Sequence, residues 1–237
     1  SVFTPTHDPK YLGDCLASLR AQTFQDWEWV VVPNGPRTHE IVAWFDANVE
    51  PDPKIRVVLA PVDMTGNVGA LKRYACDCCN GDVFVEYDHD DLLTPDCLAA
   101  VAEQAELNPF AFIYSDDVTC GFDGSQILFD PRFGWQSYET EVDGKKVVVN
   151  RTPAAHPRTI CEILYAPDHV RAWTREAYAK AGGHNPNLAV CDDHELMVKS
   201  YLVGAQFIHI PRPLYTHRVD QTRTSRMRMQ AITVQSG

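Results

Sequence analysis

The stretch VFVEYDHDDLLTPD, residues 83 to 96, joins an apolar run to a cluster of charge. An apolar run that ends in polar turn residues is typical of a buried strand. Three aspartates and one histidine occupy positions 88 to 91, and Pro95 then favours the first turn of a helix. Taken alone, the carboxylates fit three uses: they hold a metal ion, one of them is a nucleophile, or the cluster is a solvated turn.

Strand and helix patterns alternate along the chain on both sides of this stretch. Leu12, Leu16 and Leu19 recur at helical spacing, and residues 27–35 form an apolar run closed by a turn. Asn67 precedes a further helix pattern and is a suitable N-cap. Continuous apolar strands that alternate with helices predict an α/β fold, Rossmann-like, with a mostly parallel central sheet and helices on both faces.

Three polar turns follow the predicted strands: PTHD at 5–8, PNGP at 33–36 and DHDD at 88–91. Parallel strands end at the same edge of a sheet, and ligands bind outside their carboxyl ends. We therefore expect these turns to meet around one site.

The second half of the chain is less regular. The pair Asp143-Gly144 predicts a hairpin turn, and residues 168–183 predict a helix that ends at Gly182 and Gly183. A helix from residue 192, a strand at 206–211 and an Arg-rich segment at 212–228 follow. We expect a single domain, 1–237, with a regular half at 1–117 and a variable half at 118–237.

Composition limits the function. A net charge of −11 argues against general binding to nucleic acid or anionic membranes. No apolar stretch approaches the roughly 20 residues of a membrane span, and the first residues lack a signal-peptide pattern. We expect a cytoplasmic chain, either alone or as part of a larger or membrane-associated protein.

Two short motifs carry less weight. The chain has eight cysteines, and Cys76 and Cys79 have CxxC spacing, but no second pair follows at zinc-site spacing. We expect reduced, mostly buried thiols. The sequon at Asn150 is a weak indication of glycosylation in a chain without a secretory signal.

The aspartate cluster has a physical interpretation as a metal site. In an extended segment alternate residues share a side, so Asp88 and Asp90 would face one way and His89 and Asp91 the other. Two carboxylates so near each other need a bound cation or protons to offset their repulsion. Oxygen ligands suit Mg²⁺ or Mn²⁺, which usually bridge to substrate phosphates. The DxD also resembles that of haloacid-dehalogenase phosphatases, but Leu92 replaces their Thr or Val, and their motif lies on the first strand.

Taken in order, several segments resemble family 2 glycosyltransferases, which have the GT-A fold. They are residues 1–36, the block 67–91 with its Asn-x-Gly turn and DxD strand, YSDD at 114–117, GGHNPNLAVCDDHEL at 182–196 and PRPLYTHR at 211–218. The resemblance covers nearly the whole chain and is weakest between 118 and 160.

The resemblance implies an inverting, metal-dependent enzyme. It would transfer a sugar from a nucleotide-diphosphate sugar to an acceptor hydroxyl in glycan or surface polysaccharide synthesis, and a UDP-sugar is the expected donor. Residues 1–117 would bind the donor and 118–237 the acceptor. The nucleotide contacts would be Thr4, Thr6, Asn34, Lys72 and Asp88. The ligands of Mn²⁺ or Mg²⁺ would come from Asp88, Asp90, His217 and Asp220. Asp193 would be the catalytic base.

Some positions depart from the family pattern. The second strand usually ends in Asp-Asp or Asp-Asn, and here Pro33-Asn34 leaves the preferred nucleobase open. Asp220 falls where the family often has a metal-binding His, and His217 lies three residues earlier, so either completes the metal shell. Asp192 and Glu195 also have the spacing of a capping box, which would give Asp193 a structural role only.

Acceptor contacts are expected in the variable half. Trp135, Tyr138, His156 and His169 are candidates because sugars stack on aromatic faces, with core packing as the alternative for the aromatic residues. Two other classes of function remain: a Mg²⁺-dependent phosphatase of the haloacid-dehalogenase type, and a non-catalytic module that binds a nucleotide sugar.

Overall fold

The computed structural model describes residues 1–142, 144–163 and 166–219. The strands are β1 (Val2–Thr6), β2 (Trp29–Pro33), β3 (Ile55–Val57), β4 (Val83–Glu86), β5 (Leu92–Leu93), β6 (Ala111–Gly121), β7 (Gln136–Val142), β8 (Lys145–Arg151), β9 (Arg171–Thr174) and β10 (Gln206–Val219). The helices are α1 (Leu12–Arg20), α2 (Thr38–Asn48), α3 (Val68–Asp77), α4 (Cys97–Leu107), α5 (Pro157–Glu162), α6 (Arg175–Lys180) and α7 (Asp192–Leu202).

The strands form one sheet with the order β3-β2-β1-β4-β9-β6-β10-β5. Strand β2 is parallel to its neighbours β1 and β3, β1 is also parallel to β4, and β10 is parallel to β6. Strand β9 is antiparallel to both β4 and β6, and the β7–β8 hairpin extends from β6. The predicted α/β fold with a mostly parallel central sheet is confirmed.

Two hydrophobic layers cover the two faces of the sheet. In β2, Trp29 and Val31 enter one layer while Val30 and Val32 enter the other, because successive side chains of a strand point to opposite faces. Helices α1, α2 and α4 contribute their buried residues to the first layer, and α3, α6 and α7 to the second. Helices therefore cover both faces, as predicted.

Strand β9 corrects the helix predicted over residues 168–183. Residues Arg171–Thr174 are all buried and lie between two strands of the sheet, and only residues from Arg175 onward are helical. The Thr174 hydroxyl accepts a hydrogen bond from the Ala177 amide at 3.4 Å and so caps α6. A short apolar run does not distinguish a strand from a helix by its periodicity, which is why the pattern misled. The helix ends before Gly182 and Gly183, both with positive φ, as predicted.

Two further local predictions are wrong. Strand β4 ends at Glu86, and residues 88–91 form a turn in which the Asp91 amide donates to the Asp88 carbonyl at 3.3 Å. The alternation argument for an extended segment therefore does not apply there. Helix α7 begins at Asp192 after Cys191, which has φ 59° and provides no side-chain cap, so the predicted capping box does not form.

Other predictions are confirmed or fall outside the described ranges. The Asn67 side chain accepts from the Ala70 amide at 3.1 Å and caps α3. Strands β7 and β8 form the predicted hairpin, although Asp143 of its turn lies outside the description. The same holds for Asp220 and the rest of the Arg-rich segment beyond residue 219.

The weak motifs have structural explanations. All eight cysteines lie in the described ranges as free thiols, and five of them are buried, as expected. Burial raises the pKa of the Cys76 thiol well above its ordinary value, which disfavours the reactive thiolate. Asn150 is 1% exposed, so the folded chain does not present its sequon.

The Asn-x-Gly turn fastens α3 to the loop before α7. The Asn67 amide group donates to the Pro186 carbonyl at 2.7 Å, and the Gly69 amide donates to the Leu188 carbonyl at 3.0 Å. A Cβ at position 69 would lie 2.6 Å from the Leu188 oxygen and closer still to that of Asn185. Glycine at position 69 thus allows the two segments to touch.

We predict that Gly69→Ala lowers the free energy of unfolding by about 1–3 kcal/mol, because the new methyl group forces the loop at 185–188 away. Gly13→Ala is the matched control: its helix is α1, and its Cβ would meet only Trp44 at 3.8 Å. It should stabilise the chain by about 0.5–1 kcal/mol. Urea unfolding of both variants measures the difference, and equal effects would contradict the close approach.

Candidate active site

A cavity of about 1240 Å³ opens at the carboxyl-end edge of the sheet. His7 and Asp8 follow β1, Asn34 follows β2, and Asp88 and Asp90 follow β4, and all five line the cavity. The three polar turns therefore meet around one space, which is the position that the strand order favours for a ligand.

The floor of the cavity rests on an antiparallel pair. Glu86 of β4 lies opposite Arg171 of β9, which is 2% exposed. The Arg171 guanidinium places Nη1 2.5 Å from Asp193 Oδ2 and 3.8 Å from Glu86 Oε1, and Nη2 3.4 Å from Asp168 Oδ1. One buried cation thus holds carboxylates from three parts of the chain.

Lys72 supplies a second cation beside this pair. Its Nζ atom lies 2.9 Å from Glu86 Oε1 and 3.6 Å from Asp192 Oδ2, and Asp192 also meets His184 Nδ1 at 2.9 Å. Burial opposes the charge on Lys72, but Asp192 and Glu86 outweigh it and raise the pKa of its ammonium well above the ordinary value. Lys72 lines the cavity and pairs with the carboxylates of Glu86 and Asp192.

Asp193 reaches the cavity from the first turn of α7. It is 8% exposed, and its Oδ1 accepts a hydrogen bond from the His194 amide at 2.8 Å. Burial raises the pKa of its carboxyl, but Arg171 and then Lys72 outweigh burial and hold the pKa well below its usual range. The side chain at the predicted base position is therefore a carboxylate at neutral pH.

The aspartates of the DHDD turn separate into two kinds. Asp88 and Asp90 line the cavity, and so does His89, whose ring meets that of His7 edge-on at 4.9 Å. Asp91 is fully buried instead. Its carboxylate accepts from the Tyr215 hydroxyl at 2.9 Å and from the Arg218 amide at 2.7 Å, which ties the turn to β10.

Carboxylates outnumber cations around the cavity. Among the described residues eight aspartates and glutamates line it, against one arginine and two lysines. Burial, followed by the neighbouring His89, lowers the pKa of His7, so this histidine adds no positive charge at neutral pH. The wall has an excess of negative charge.

The predicted metal ligands are brought together in part. Asp88, Asp90 and His217 all line the cavity, while Asp220 lies outside the description. Within the described ranges no three His, Cys, Asp or Glu side chains are grouped closely enough to hold a metal ion by themselves. A cation here would need ligands from a bound substrate, which is how Mg²⁺ and Mn²⁺ are commonly held.

The predicted nucleotide contacts differ in position. The Thr4 hydroxyl is buried and accepts from Trp29 Nε1 at 2.9 Å, and the Thr6 hydroxyl donates to the Asp8 carbonyl at 3.1 Å. Neither threonine is among the described residues that line the cavity. Asn34 does line it, and its Nδ2 donates to the Thr6 carbonyl at 2.9 Å.

The predicted acceptor residues also separate. Trp135 and His169 line the cavity. The Tyr138 hydroxyl donates instead to Asp116 at 2.9 Å, and the His156 ring accepts from the Arg158 amide at 3.2 Å as the N-cap of α5.

Arg171, Asp168, Glu86 and His184 are among the site residues that sequence reasoning missed. The available signal for Arg171 was a single cation inside an apolar run that also carries Trp173. A buried charge in such a run requires partners, which here come from distant segments.

Comparison with known proteins identifies the family. Residues 1–153 match the sequence profile of Glycosyl transferase family 2, so the chain belongs to this family. It is 26% identical over 225 residues to the O-antigen biosynthesis protein RfbC of Myxococcus xanthus, which covers 92% of this chain and 16% of that protein. It is 30% identical over 120 residues to the uncharacterized protein y4gI of Sinorhizobium fredii, covering 49% of this chain and 13% of that protein. The chain thus spans less than a fifth of either relative.

Solved structures of glycosyltransferases share the fold. TarS 1–349 of S. aureus, in complex with UDP, superposes with a TM-score of 0.65 at 17% identity, covering 93% of this chain and 60% of that one. The mannosyltransferase PcManGT of Pyrobaculum calidifontis, in complex with GDP-Man and Mn²⁺, gives a TM-score of 0.63 at 16% identity, covering 100% and 64%. These matches confirm the predicted GT-A fold.

The family assignment also decides between the alternatives. A haloacid-dehalogenase phosphatase is excluded, because the chain belongs to the family 2 glycosyltransferases. The DxD turn of this chain follows the fourth strand, and Leu92 begins β5.

Over the described residues, no helix is both long and apolar enough to span a bilayer.

We predict that Arg171→Met lowers the free energy of unfolding at pH 7 by about 3–5 kcal/mol, because it leaves buried carboxylates without their cation. The low pKa of Asp193 gives stability above the ordinary pKa of aspartate, and this stability declines as the pH falls through the folded-state pKa. The variant lacks this contribution, and its unpaired carboxylates protonate more readily, so the difference from wild type should shrink from pH 7 to about pH 4.

Arg175→Met is the matched control, since Arg175 binds the carbonyls of Cys79 and Gly81 outside the cavity. Its effect in urea unfolding should not depend on pH over this range. A constant deficit for Arg171→Met would contradict the assigned role of the guanidinium.

Proposed function

We propose that the chain is a metal-dependent, inverting glycosyltransferase that moves a sugar from a nucleotide-diphosphate sugar, a UDP-sugar, to an acceptor hydroxyl. The residues 1–117 bind the donor and 118–237 the acceptor. The name of the Myxococcus xanthus relative supports a place in surface polysaccharide synthesis. The complexes of the two structural neighbours, with UDP and with GDP-Man and Mn²⁺, support a nucleotide-sugar donor.

The excess of carboxylates around the cavity is the observation that carries the proposal. A diphosphate is an anion, and it would be repelled by a wall in which eight carboxylates face three cationic side chains. A divalent cation between them removes the repulsion, because carboxylate and phosphate oxygens are both suitable ligands. Asp88 and Asp90 would hold the cation, with His217 or Asp220 as a further ligand. The cation would neutralise the departing nucleoside diphosphate.

Asp193 is suited to deprotonate the acceptor. Its carboxylate is ionised and fixed by Arg171, and it lines the same cavity as the DHDD turn. A carboxylate with a low pKa is a weak base, but the acceptor hydroxyl becomes strongly acidic as its oxygen bonds to the anomeric carbon. Displacement by that oxygen in one step inverts the anomeric configuration, and no enzyme nucleophile is needed.

Asn34 supports uracil as the nucleobase. One hydrogen of its Nδ2 is donated to the Thr6 carbonyl, which orients the carboxamide, and the carboxamide oxygen is the atom that accepts from a base. In this orientation Asn34 offers an acceptor, as the aspartate usual at this position would, and the N3–H group of uracil is a matching donor. The departure from the family pattern therefore keeps an acceptor oxygen at this position, without the negative charge of aspartate.

We predict that Asp90→Ala abolishes Mn²⁺-dependent binding of UDP while the fold survives, because Asp90 lines the cavity and the buried carboxylate that ties the turn to β10 is that of Asp91. Asp46→Ala removes the same charge from the exposed face of α2 and should bind as wild type does. Calorimetric titration with UDP and MnCl₂ measures both variants. Unchanged binding by Asp90→Ala would contradict the metal assignment.

We predict that Asp193→Asn binds the donor like wild type but loses transfer by about 10²–10⁴-fold, since an amide does not accept the proton. The amide oxygen can still accept from Arg171, while the contact of the other carboxylate oxygen with the His194 amide is lost. Release of UDP in the presence of an acceptor measures turnover. Turnover at the wild-type rate would refute the base, and donor binding without transfer by wild type itself would indicate a non-catalytic binding module.

A further inference from the structure

We infer that Phe129, Phe133 and Trp135, here called the aromatic shelf, bind a pyranose ring of the acceptor. This inference rests on the proposed function and adds the chemical class of the acceptor: a sugar, in place of a lipid or a protein side chain. All three rings line the cavity that also contains Asp193 and the DHDD turn. They belong to the segment in which the resemblance to the family is weakest.

The cavity has room for a second ligand. Its volume of about 1240 Å³ exceeds the roughly 300–1,000 Å³ of a typical single-ligand pocket. The wall is divided chemically: the turns after β1, β2 and β4 are polar, whereas the segment between β6 and β7 contributes the aromatic shelf. A polar nucleotide and a ring that stacks on aromatic faces would therefore contact different parts of the wall.

The aromatic shelf is built before any ligand arrives. The Phe129 amide donates to Asn150 Oδ1 at 3.0 Å, and Asn150 Nδ2 donates to the Ile127 carbonyl at 3.0 Å and to the Thr119 hydroxyl at 3.1 Å. Asn150 is buried, so it anchors the segment to the sheet. The rings of Phe129 and Trp135 pack edge to face at 4.6 Å. Binding would therefore cost little ordering of the shelf.

Phe133 presents its ring to solvent. It ends a short 3-10 turn, Pro131–Phe133, and Gly134 then reverses the chain with φ 88°. Phe133 is 57% exposed, although a phenylalanine gains by burial, whereas Trp135 is 7% exposed. An exposed aromatic ring at the edge of a cavity is a suitable surface for the C–H face of a sugar.

Carboxylates beside the shelf favour a sugar over an acyl chain. Asp130, next to Phe129 in sequence, and Glu162 also line the cavity, and each pairs with an exposed arginine, Arg132 at 2.5 Å and Arg158 at 3.0 Å. Carboxylates accept hydrogen bonds from the hydroxyls of a sugar, and guanidinium groups donate to them. An acyl chain would remove water from these charged groups and offer no hydrogen bond in exchange.

Saturation-transfer NMR on the whole chain tests the inference. The probes are methyl glycosides of glucose, galactose, mannose and N-acetylglucosamine, and n-octyl β-D-glucopyranoside. We expect saturation of ring protons for at least one glycoside, and three- to tenfold weaker binding in Phe133→Ala, about the range of an aromatic stacking contact. Phe133→Tyr should restore binding because it keeps the ring.

Leu128→Ala is the matched control, since Leu128 is 51% exposed in the same segment and is not part of the cavity wall. It should bind like wild type. Saturation confined to octyl protons, equal binding by Phe133→Ala, or no glycoside bound would each overturn the inference. UDP with MnCl₂ is titrated into the same samples: UDP binding without glycoside binding refutes the shelf alone, and glycoside binding without UDP binding refutes the donor site alone.

Discussion

The pairing of two buried cations with the carboxylates beneath the cavity is the constraint on which the rest of the site depends. Arg171 and Lys72 both meet the Oε1 atom of Glu86, Arg171 at 3.8 Å and Lys72 at 2.9 Å. Neither cation could remain in such a place without partners, and removing one would leave unpaired charge in a poorly hydrated interior. The ion pairs thus fix the relative positions of β4, β9 and α7.

This arrangement also sets the chemistry of the cavity. The guanidinium of Arg171 keeps Asp193 ionised and oriented, and the cations engaged in the floor neutralise only part of the surrounding negative charge. Asp88 and Asp90 remain at the wall above them. The site thus offers a fixed carboxylate next to a place where a diphosphate would require a divalent cation. The proposed base and the proposed need for a divalent cation therefore follow from the same distribution of charge.

Much of the fold could be predicted because its local signals are strong. The apolar run of β2, the leucine spacing of α1 and the Asn67 cap each act within a few residues. Strand β9 could not be predicted from its four residues, since its place between β4 and β6 is decided by tertiary pairing. The β9 strand is also what brings Arg171 to the site.

The site, like the fold, could be predicted where its position depends on local sequence signals and not where it depends on long-range pairing. The turns at 5–8, 33–36 and 88–91 converge because parallel strands share an edge, and their sequence positions are sufficient to show it. The Arg171–Asp193 pair joins residues that are 22 apart in sequence, and no local pattern indicates it. Thr4 illustrates the opposite case: it lies on the correct strand, but its hydroxyl accepts from Trp29 within the core.

The most direct test of the account is the stereochemistry of the product. The chain is incubated with a UDP-α-hexose, MnCl₂ and acceptor glycosides, and the anomeric proton is followed by NMR as the sugar is transferred. Metal-dependent inversion predicts a new β-glycosidic signal that grows together with free UDP, stops growing on addition of EDTA and grows again when Mn²⁺ is restored. An α-linked product, or transfer that persists in EDTA, would contradict it.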